Sequence, residues 1–310
     1  MKKITIVTPV YNELENIPNL LKECDALFED LNYKQEHIFI DNDSTDGTQD
    51  LLRNIAKKRK NIKIIINSRN FGHIRSPFHA LKQADGDAVV LLFADLQDPP
   101  SLIKKFIQEW ENGYPIICGV KNSSKESFIM FKLRKLYYKI INKISAYTLI
   151  ENFNGFGLYD KKIINQIKTF NDPEPYFRGI ISEIGFSKKI IKYDQNVRQY
   201  GKTKNNLLTL YDLAMIAFTD HTKFFLRALT FLGFFMSAIS IIVAIFYTSL
   251  KIFYWNTFQM GIAPLVIGFF IFNSIILIFL GLIGEYIINI LNRIKNRPRV
   301  IEKERINFDK

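Results

Sequence analysis

The stretch ITIVTPVYNE, residues 4–13, decides the fold class, because an apolar run of strand length ends abruptly in polar residues. Such a run predicts a buried β-strand. Three similar runs alternate with helical stretches over the first third of the chain. This alternation predicts right-handed βαβ units and an open, doubly wound sheet of the α/β class. The predicted strands are Ile4–Val10, His37–Ile40, Ile62–Ile66 and Ala88–Leu92, and the predicted helices are Glu15–Phe28, Thr48–Lys58 and Ser76–Ala84.

Polar and acidic residues follow each predicted strand directly. They are Tyr11–Glu13, Asp41–Asp43, Ser68–Asn70 and Asp95–Asp98. Ligands of open α/β sheets bind at the carboxyl ends of the strands, so we expect these residues to surround the functional site. No GxGxxG motif follows the first strand, which argues against a dinucleotide-dependent oxidoreductase.

The composition narrows the class of protein. The chain has 310 residues and a formal net charge of +12, which favours an acidic partner or surface. The two cysteines, Cys24 and Cys118, form neither a CxxC pair nor a zinc spacing, as expected in a reducing compartment. A nucleic-acid binder would explain the charge but would leave the apolar C-terminal third unexplained.

Two charge-free apolar stretches lie near the C-terminus, at 228–250 and 262–283. Each is long enough for a helix to cross a hydrocarbon core of about 30 Å. The sequence thus predicts a hairpin of two transmembrane helices, with Asn273 bonding across to the first. Basic residues flank the hairpin on one side, which predicts a multi-pass protein of the inner (plasma) membrane with both termini cytoplasmic.

The predicted domains follow from these features. Residues 1–210 form the α/β domain, 211–227 a juxtamembrane helix, 228–284 the hairpin and 285–310 a basic cytoplasmic tail. Within the first domain, lysines and apolar residues alternate at helical spacing over 127–150. This pattern is typical of an amphipathic helix lying on an anionic lipid bilayer, although a core-facing helix with solvated lysines fits it as well.

An ordered set of motifs resembles the family-2 glycosyltransferases. Within that family, it is similar to the polyprenyl-phosphate (bactoprenol or dolichyl-phosphate mannose synthase-like) glycosyltransferases. The resemblance implies a GT-A, Rossmann-like fold, and it runs over nearly the whole chain. The matching stretches are Thr8–Glu13, Ile40–Thr48, Arg69–His73, Ala94–Pro100, Phe177–Gly179, Arg198–Lys204, Gly281–Tyr286 and Lys295–Pro298.

The resemblance also implies roles for the nucleotide-binding residues. Asp41 matches the carboxylate that holds the uracil or guanine ring of a sugar nucleotide, and an Asx-turn that closes the second strand is the alternative. Pro9, Tyr11 and Glu13 match positions that line the same pocket. A negative charge at a helix N-terminus is the alternative for Glu13.

The resemblance further implies a metal site and catalytic residues. Asp95 matches the last carboxylate of the family's metal motif and also contacts the nucleotide, and Gln97 resembles a secondary ligand for Mg²⁺ or Mn²⁺. Asp95 and Asp98 are the catalytic candidates. For Asp98, the start of a helix over Ser101–Glu111 is the alternative.

Two departures from the family pattern weaken the assignment of single residues. The usual Asp-Ala-Asp is Phe93-Ala94-Asp95 here, which removes one carboxylate from the metal motif. The usual Gly-Asp-Phe-Arg-Leu is Asn154-Gly155-Phe156-Gly157-Leu158, which removes an acid and a cation. The protein must then use other groups for whatever those side chains do in its relatives.

The acceptor implied by the resemblance is a lipid phosphate. Its oxygen is already anionic near neutral pH, so positioning and charge neutralisation matter more than a general base. We expect four residues to bind the phosphate, although a solvated basic loop is the alternative. They are Arg198, Lys202, Thr203 and Lys204.

Together these expectations describe an inverting transferase of the cell envelope. It would move a sugar from a nucleoside-diphosphate sugar, expected to be UDP-linked, to undecaprenyl phosphate or a similar lipid at the cytoplasmic membrane face. The partners would be the nucleotide sugar, the polyprenyl phosphate, the bilayer and, as in some relatives, three further copies in a homotetramer, with no nucleic acid. Two alternatives stay open: a membrane-anchored polysaccharide synthase and a non-catalytic relative that acts as a membrane scaffold.

Overall fold

A computed structural model describes residues 1–122, 142–143, 147–170, 172, 175–196, 262–294 and 300–308, with short pieces between 231 and 254. The predicted surface helix over 127–150 and the predicted juxtamembrane helix over 211–227 lie largely or wholly outside these ranges.

The described residues centre on one eight-stranded mixed sheet with the order β7-β5-β6-β4-β1-β2-β3-β8. Six strands run in the same direction, while β6 and β8 run opposite to their neighbours. The strands are β1 Lys3–Val10, β2 Lys34–Asp41, β3 Ile62–Asn67, β4 Ala88–Leu91, β5 Ile116–Lys121, β6 Phe153–Asp160, β7 Lys188–Tyr193 and β8 Glu302–Ile306.

Helices connect the parallel strands, as the alternation of apolar runs predicts. The helices are α1 Asn16–Glu29, α2 Thr48–Lys58, α3 Gly72–Gln83, α4 Leu102–Glu111, α5 Lys161–Thr169, α6 Phe177–Glu183 and α7 Ile262–Ile294. The α/β class and the first four strand–helix units are therefore confirmed.

The buried core lies in two layers, one on each face of the sheet. Alternate residues of β1 supply both layers: Ile4 and Ile6 point into one, and Val7 into the other. This explains why the strand reads as a continuous apolar run, since a central parallel strand is covered on both faces.

The last strand, β8, joins the sheet beside β3, although nearly 240 residues separate them in sequence. Side chains of the neighbouring helices contact it, with Arg53 Nη2 2.8 Å from Glu304 and His79 Nε2 2.6 Å from Glu302. Asn307 then donates to the carbonyl oxygens of Ala56, Arg59 and Ile62. The C-terminal residues that we assigned to a separate tail thus include an edge strand of the α/β domain.

The predicted transmembrane hairpin and the multi-pass inner-membrane location with two cytoplasmic termini are contradicted. Within the part of the chain that the structure describes, no helix is both long and apolar enough to cross a membrane. Most of 228–250 lies outside that part. The stretch 262–283 belongs to the longer helix α7, in which Asn273 donates to the carbonyl oxygen of Phe269 in its own helix at 2.8 Å. A run of uncharged residues gives the length of an apolar stretch. It defines neither where the helix begins and ends nor which groups its polar side chains bond.

Candidate active site

The loops after β1 and β2 are joined by hydrogen bonds at the carboxyl edge of the sheet. Val10 lies opposite Asp41 in the parallel register, and its carbonyl oxygen accepts from the Asn42 N–H at 2.9 Å. The Asn12 N–H donates to Ser44 Oγ at 2.8 Å. Asn12 has a left-handed backbone, with φ 56°, a conformation that asparagine tolerates better than most residues.

Asp41 is fully buried at the end of β2, and its two carboxylate oxygens differ. Oδ1 accepts from the Ser44 N–H at 2.9 Å, which is the Asx-turn considered as the alternative from the sequence. Among the described residues, no donor reaches Oδ2. Burial raises the pKa of Asp41, and the hydrogen-bonding groups of Ser44, Gln49 and Asp43 oppose that shift. A buried carboxylate oxygen without a partner is costly, so Oδ2 is a group of this edge that a ligand donor would satisfy.

The other three residues predicted to line the nucleotide pocket lie on or after β1. Pro9 pairs with Ile40 within the sheet, and Tyr11 follows the strand as a half-buried residue. The Glu13 carboxylate accepts from Asn16 Nδ2, and the Glu13 carbonyl accepts from the Asn16 N–H at 3.0 Å. Glu13 thus contacts the first turn of α1, as its alternative interpretation requires, and its role in nucleotide binding stays a prediction.

An asparagine network that the sequence analysis did not predict joins β2 to the loop after β3. Asn42 Oδ1 accepts from Asn67 Nδ2 at 3.0 Å and from the Phe71 N–H at 2.9 Å. Asn42 Nδ2 donates to Asn70 Oδ1 at 2.8 Å. Asparagine after a strand usually indicates a turn, so only the three-dimensional arrangement identifies Asn42 as the residue that fixes this loop.

The Asp95 loop follows β4 at the same edge. Asp95 Oδ1 accepts from the Gln97 N–H at 3.3 Å, and Leu96 between them has a left-handed φ of 54°. Among the described residues, no three carboxylate, histidine or cysteine groups cluster closely enough to hold a metal ion. The oxygens of Asp95 and Gln97 nevertheless suit a hard divalent cation that takes its remaining ligands from substrate phosphates and water.

Asp98 is buried, and protein donors contact both of its carboxylate oxygens. Oδ1 accepts from the Tyr193 hydroxyl and lies 3.9 Å from Lys121 Nζ, while Oδ2 accepts from Asn154 Nδ2 at 2.8 Å. Helix α4 begins at Leu102 with Ser101 before it, so Asp98 does not cap that helix. Neither Tyr193 nor Asn154 was identified from the sequence.

The two glycines of β6 lie at positions where a side chain would meet strain or backbone atoms. Gly155 has a left-handed φ of 108°, which disfavours an aspartate there. A Cβ atom on Gly157 would lie 2.2 Å from the carbonyl oxygen of Ile117 in the paired strand β5. An arginine at this position would therefore require the backbone to shift.

The four predicted phosphate-binding residues lie outside the described residues. They are Arg198, Lys202, Thr203 and Lys204, and their role stays a prediction.

The chain is similar in sequence to known proteins. The family described as glycosyl transferase family 2 matches residues 5–168. Two relatives are each 30% identical to this chain. An uncharacterized glycosyltransferase of Bacillus subtilis, YkcC, aligns over 96% of this chain and 92% of its own length. The SfII prophage-derived bactoprenol glucosyl transferase of Shigella flexneri aligns over 97% of this chain and 98% of its own.

A solved structure, the glucosyl-3-phosphoglycerate synthase of Mycobacterium tuberculosis with Mn²⁺, UDP and phosphoglyceric acid, covers 70% of this chain and 76% of its own. It is 16% identical with a TM-score of 0.49, which is too low to carry an argument. The mixed α/β sheet and the family match together support a GT-A-like fold. The chain belongs to glycosyl transferase family 2.

Proposed function

We propose that this glycosyltransferase moves a sugar from a nucleoside-diphosphate sugar, expected to be UDP-linked, to a polyprenyl phosphate with inversion at the anomeric carbon. The family supports the transfer of a sugar. The acceptor is proposed from the Shigella flexneri relative, which is named a bactoprenol glucosyl transferase and aligns over nearly the whole chain.

The unpartnered Oδ2 of Asp41 is the observation that carries the proposal for the donor. A carboxylate only accepts hydrogen bonds, and the ring edges of uracil and guanine present N–H donors. Asp41 ends β2, where an open α/β sheet binds its ligands. A base bonded to Oδ2 would satisfy the atom that the described protein leaves without a donor.

Asp95 and Gln97 are the residues proposed to hold Mg²⁺ or Mn²⁺ together with the diphosphate. When bound, such a cation neutralises the negative charge that develops on the leaving diphosphate. The Gln97 N–H donates to Asp95 Oδ1 and so restricts the orientation of this carboxylate.

The acceptor phosphate requires no general base, because its attacking oxygen is already ionised near neutral pH. The protein's task is then to align this oxygen opposite the leaving group and to exclude water. A glycine at position 155, where relatives often carry an aspartate, is compatible with this chemistry. Arg198, Lys202, Thr203 and Lys204 are proposed to bind the phosphate because of their charge and hydrogen-bonding groups.

Purified protein incubated with a polyprenyl phosphate and labelled UDP- or GDP-sugars tests the proposal. The expected product is an acid-labile glycolipid that forms only with a divalent cation present. Replacing Asp95 with asparagine should lower its formation by a factor on the order of 100 to 1000, because one ligand to the cation and its charge are lost.

Asp85→Asn is the matched control, since it makes the same chemical change at an exposed aspartate that precedes β4 at the opposite edge of the sheet. It should transfer sugar at the parental rate. Failure of the parental protein to make any glycolipid from these donors would refute the proposed acceptor. Parental activity in Asp95→Asn would refute the proposed metal site.

A further inference from the structure

Asp98 connects the Asp95 loop to two strands on the far side of β4. Its partners are Tyr193 at the end of β7 and Asn154 near the start of β6. Each of these ends lies at the carboxyl edge of the sheet, because β7 runs with β4 while β6 runs against it.

The chain after β7 adds two more bonds to the same loop. The Asn196 N–H donates to the carbonyl oxygen of Gln97 at 3.0 Å, and Asn196 Nδ2 donates to the carbonyl oxygen of Leu96 at 3.3 Å. Residues 193–196 therefore contact three successive residues of the loop that carries Asp95.

The Asp95 loop needs such support because of its backbone. Leu96 has a left-handed φ of 54° without being a glycine. A conformation of this kind is strained for a residue other than glycine and persists only where the surroundings fix it. Leu96 is itself buried, with 3% of its surface exposed, which also limits how far the loop can move.

We propose that Tyr193 is a positioning residue that acts through Asp98 to hold Asp95 in place for the divalent cation, and that Asn196 assists it. This inference rests on the proposed function for the identity of the ion. It gives Asp98 a positioning role in place of the catalytic role predicted from the sequence, because both of its oxygens are engaged by protein groups rather than directed to a ligand.

The state of the Tyr193 hydroxyl fits this role. The side chain is buried, with 5% of its surface exposed, and its ring packs edge-on against Phe156 at 5.6 Å between centroids. Burial and the nearby Asp98 carboxylate raise the pKa of Tyr193. The hydroxyl therefore stays protonated over the working range of the protein and remains a donor to Asp98.

The test measures binding of Mn²⁺ to the full chain in the presence of UDP or GDP. Electron paramagnetic resonance of the free ion detects the binding. Tyr193→Phe deletes only the hydroxyl. It should weaken Mn²⁺ binding by about threefold to tenfold, somewhat less than the loss of a group that contacts a metal ligand directly. Asn196→Ala, at an exposed residue, removes the side-chain bond to Leu96 and should weaken Mn²⁺ binding by about twofold to threefold, because the backbone bond to Gln97 remains.

Tyr33→Phe is the matched control. The Tyr33 hydroxyl also donates to a carboxylate, that of Glu111, but Tyr33 precedes β2 at the opposite edge of the sheet. It should bind Mn²⁺ as the parental protein does.

Three results would overturn the inference: parental Mn²⁺ affinity in both Tyr193→Phe and Asn196→Ala, equal weakening in Tyr33→Phe, or no Mn²⁺ binding by the parental protein. The proposed function is tested separately by sugar transfer from the parental protein. A protein that fails to glycosylate polyprenyl phosphate but shows the contrast in Mn²⁺ binding would refute the function and keep the inference.

Discussion

Asp41 and Asp98 are buried carboxylates at the same edge of one sheet, yet their surroundings differ. The loops after β1 and β2 leave Asp41 Oδ2 without a donor among the described residues. The strands β7 and β6 give both oxygens of Asp98 a donor, from Tyr193 and Asn154. The contrast teaches that burial alone does not identify a functional acid. An unsatisfied oxygen points to a missing ligand, whereas a satisfied pair of oxygens points to support of the fold.

The same substitution should therefore affect a different property of the protein at each of the two positions. Replacing either aspartate with asparagine keeps its size and removes its charge. At Asp98 the change should reduce stability, and at Asp41 it should reduce ligand binding.

Asp98→Asn should lower the free energy of unfolding by about 2 kcal/mol, within the range for hydrogen bonds to a charged group. The Nδ2 of the new amide would face either Asn154 Nδ2, which is a donor, or the Tyr193 hydroxyl, which could accept only by turning its own hydrogen away. Asn154 cannot rotate to accept without losing its own bond from the Phe156 N–H at 3.0 Å. Urea unfolding followed by tryptophan fluorescence measures the change.

A second measurement on this variant makes the comparison sharper. The affinity for UDP or GDP without divalent cation should stay within about threefold of parental, because the base contact is proposed at Asp41, on a different strand, and Asp98 makes its bonds to Tyr193 and Asn154. A stable Asp98→Asn protein that no longer binds the nucleotide would reverse the roles given to the two aspartates.

Asp41→Asn should lower the affinity for UDP or GDP by about tenfold to 100-fold, because hydrogen bonds to a charged acceptor are worth about 1.5–3 kcal/mol. Stability should stay level or rise, since the variant keeps an acceptor for the Ser44 N–H and no longer buries an unpartnered charge. Calorimetric titration and urea unfolding supply the two values. Parental affinity in this variant would remove the main support for the proposed donor site.

The pH dependence should also separate the two sites. Burial raises the pKa of Asp41 above its usual 3.8, so the folded protein holds this proton more tightly than the unfolded chain. The parental free energy of unfolding should therefore rise relative to Asp41→Asn as the pH falls from the raised pKa toward 3.8. Nucleotide affinity should fall over the same window, by no more than about the tenfold to 100-fold lost in Asp41→Asn, because protonation removes the charge that strengthens the bond from the base.

Paired unfolding and binding curves from about pH 7 down to about pH 4 measure both trends. Using Asp41→Asn as the reference cancels the titration of every other group. Parallel pH profiles for the two proteins would show that Asp41 keeps an ordinary pKa.

The features that the sequence predicted correctly are those that depend on the spacing of apolar and polar residues close together in the chain. The bounds of α2, Thr48–Lys58, match the prediction, and β1 differs from its predicted bounds by only one residue. Asp41 could be placed at the site because a polar residue after a buried strand has a fixed position in this class of sheet.

The missed features depend on residues that are distant in sequence. Asp98 and Tyr193 are 95 residues apart, and no local spacing marks them as partners. The strand β8 has a mostly charged sequence, and its partner β3 lies near the other end of the chain. The predicted transmembrane hairpin was wrong because it too depended on local sequence alone. An uncharged run describes the composition of a helix and does not show what contacts that helix.

The smallest expected effect on stability is that of replacing Lys121. It distinguishes Coulombic attraction from hydrogen bonding as the interaction that holds the Asp98 carboxylate in place. Lys121 Nζ lies 3.9 Å from Asp98 Oδ1, which is too long for a hydrogen bond and leaves only Coulombic attraction between them. Because a single Lys121→Gln variant also alters whatever else this side chain contacts, the pair is isolated by a double-mutant cycle with Asp98→Asn. The coupling energy should be below about 1 kcal/mol and should shrink with added salt.

Lys192→Gln, on the neighbouring strand β7, is the control and should show no coupling to Asp98. A coupling as large as the full loss in Asp98→Asn would mean that an ion pair supports the Asp95 loop, and Tyr193 would then lose its place as the residue that positions it.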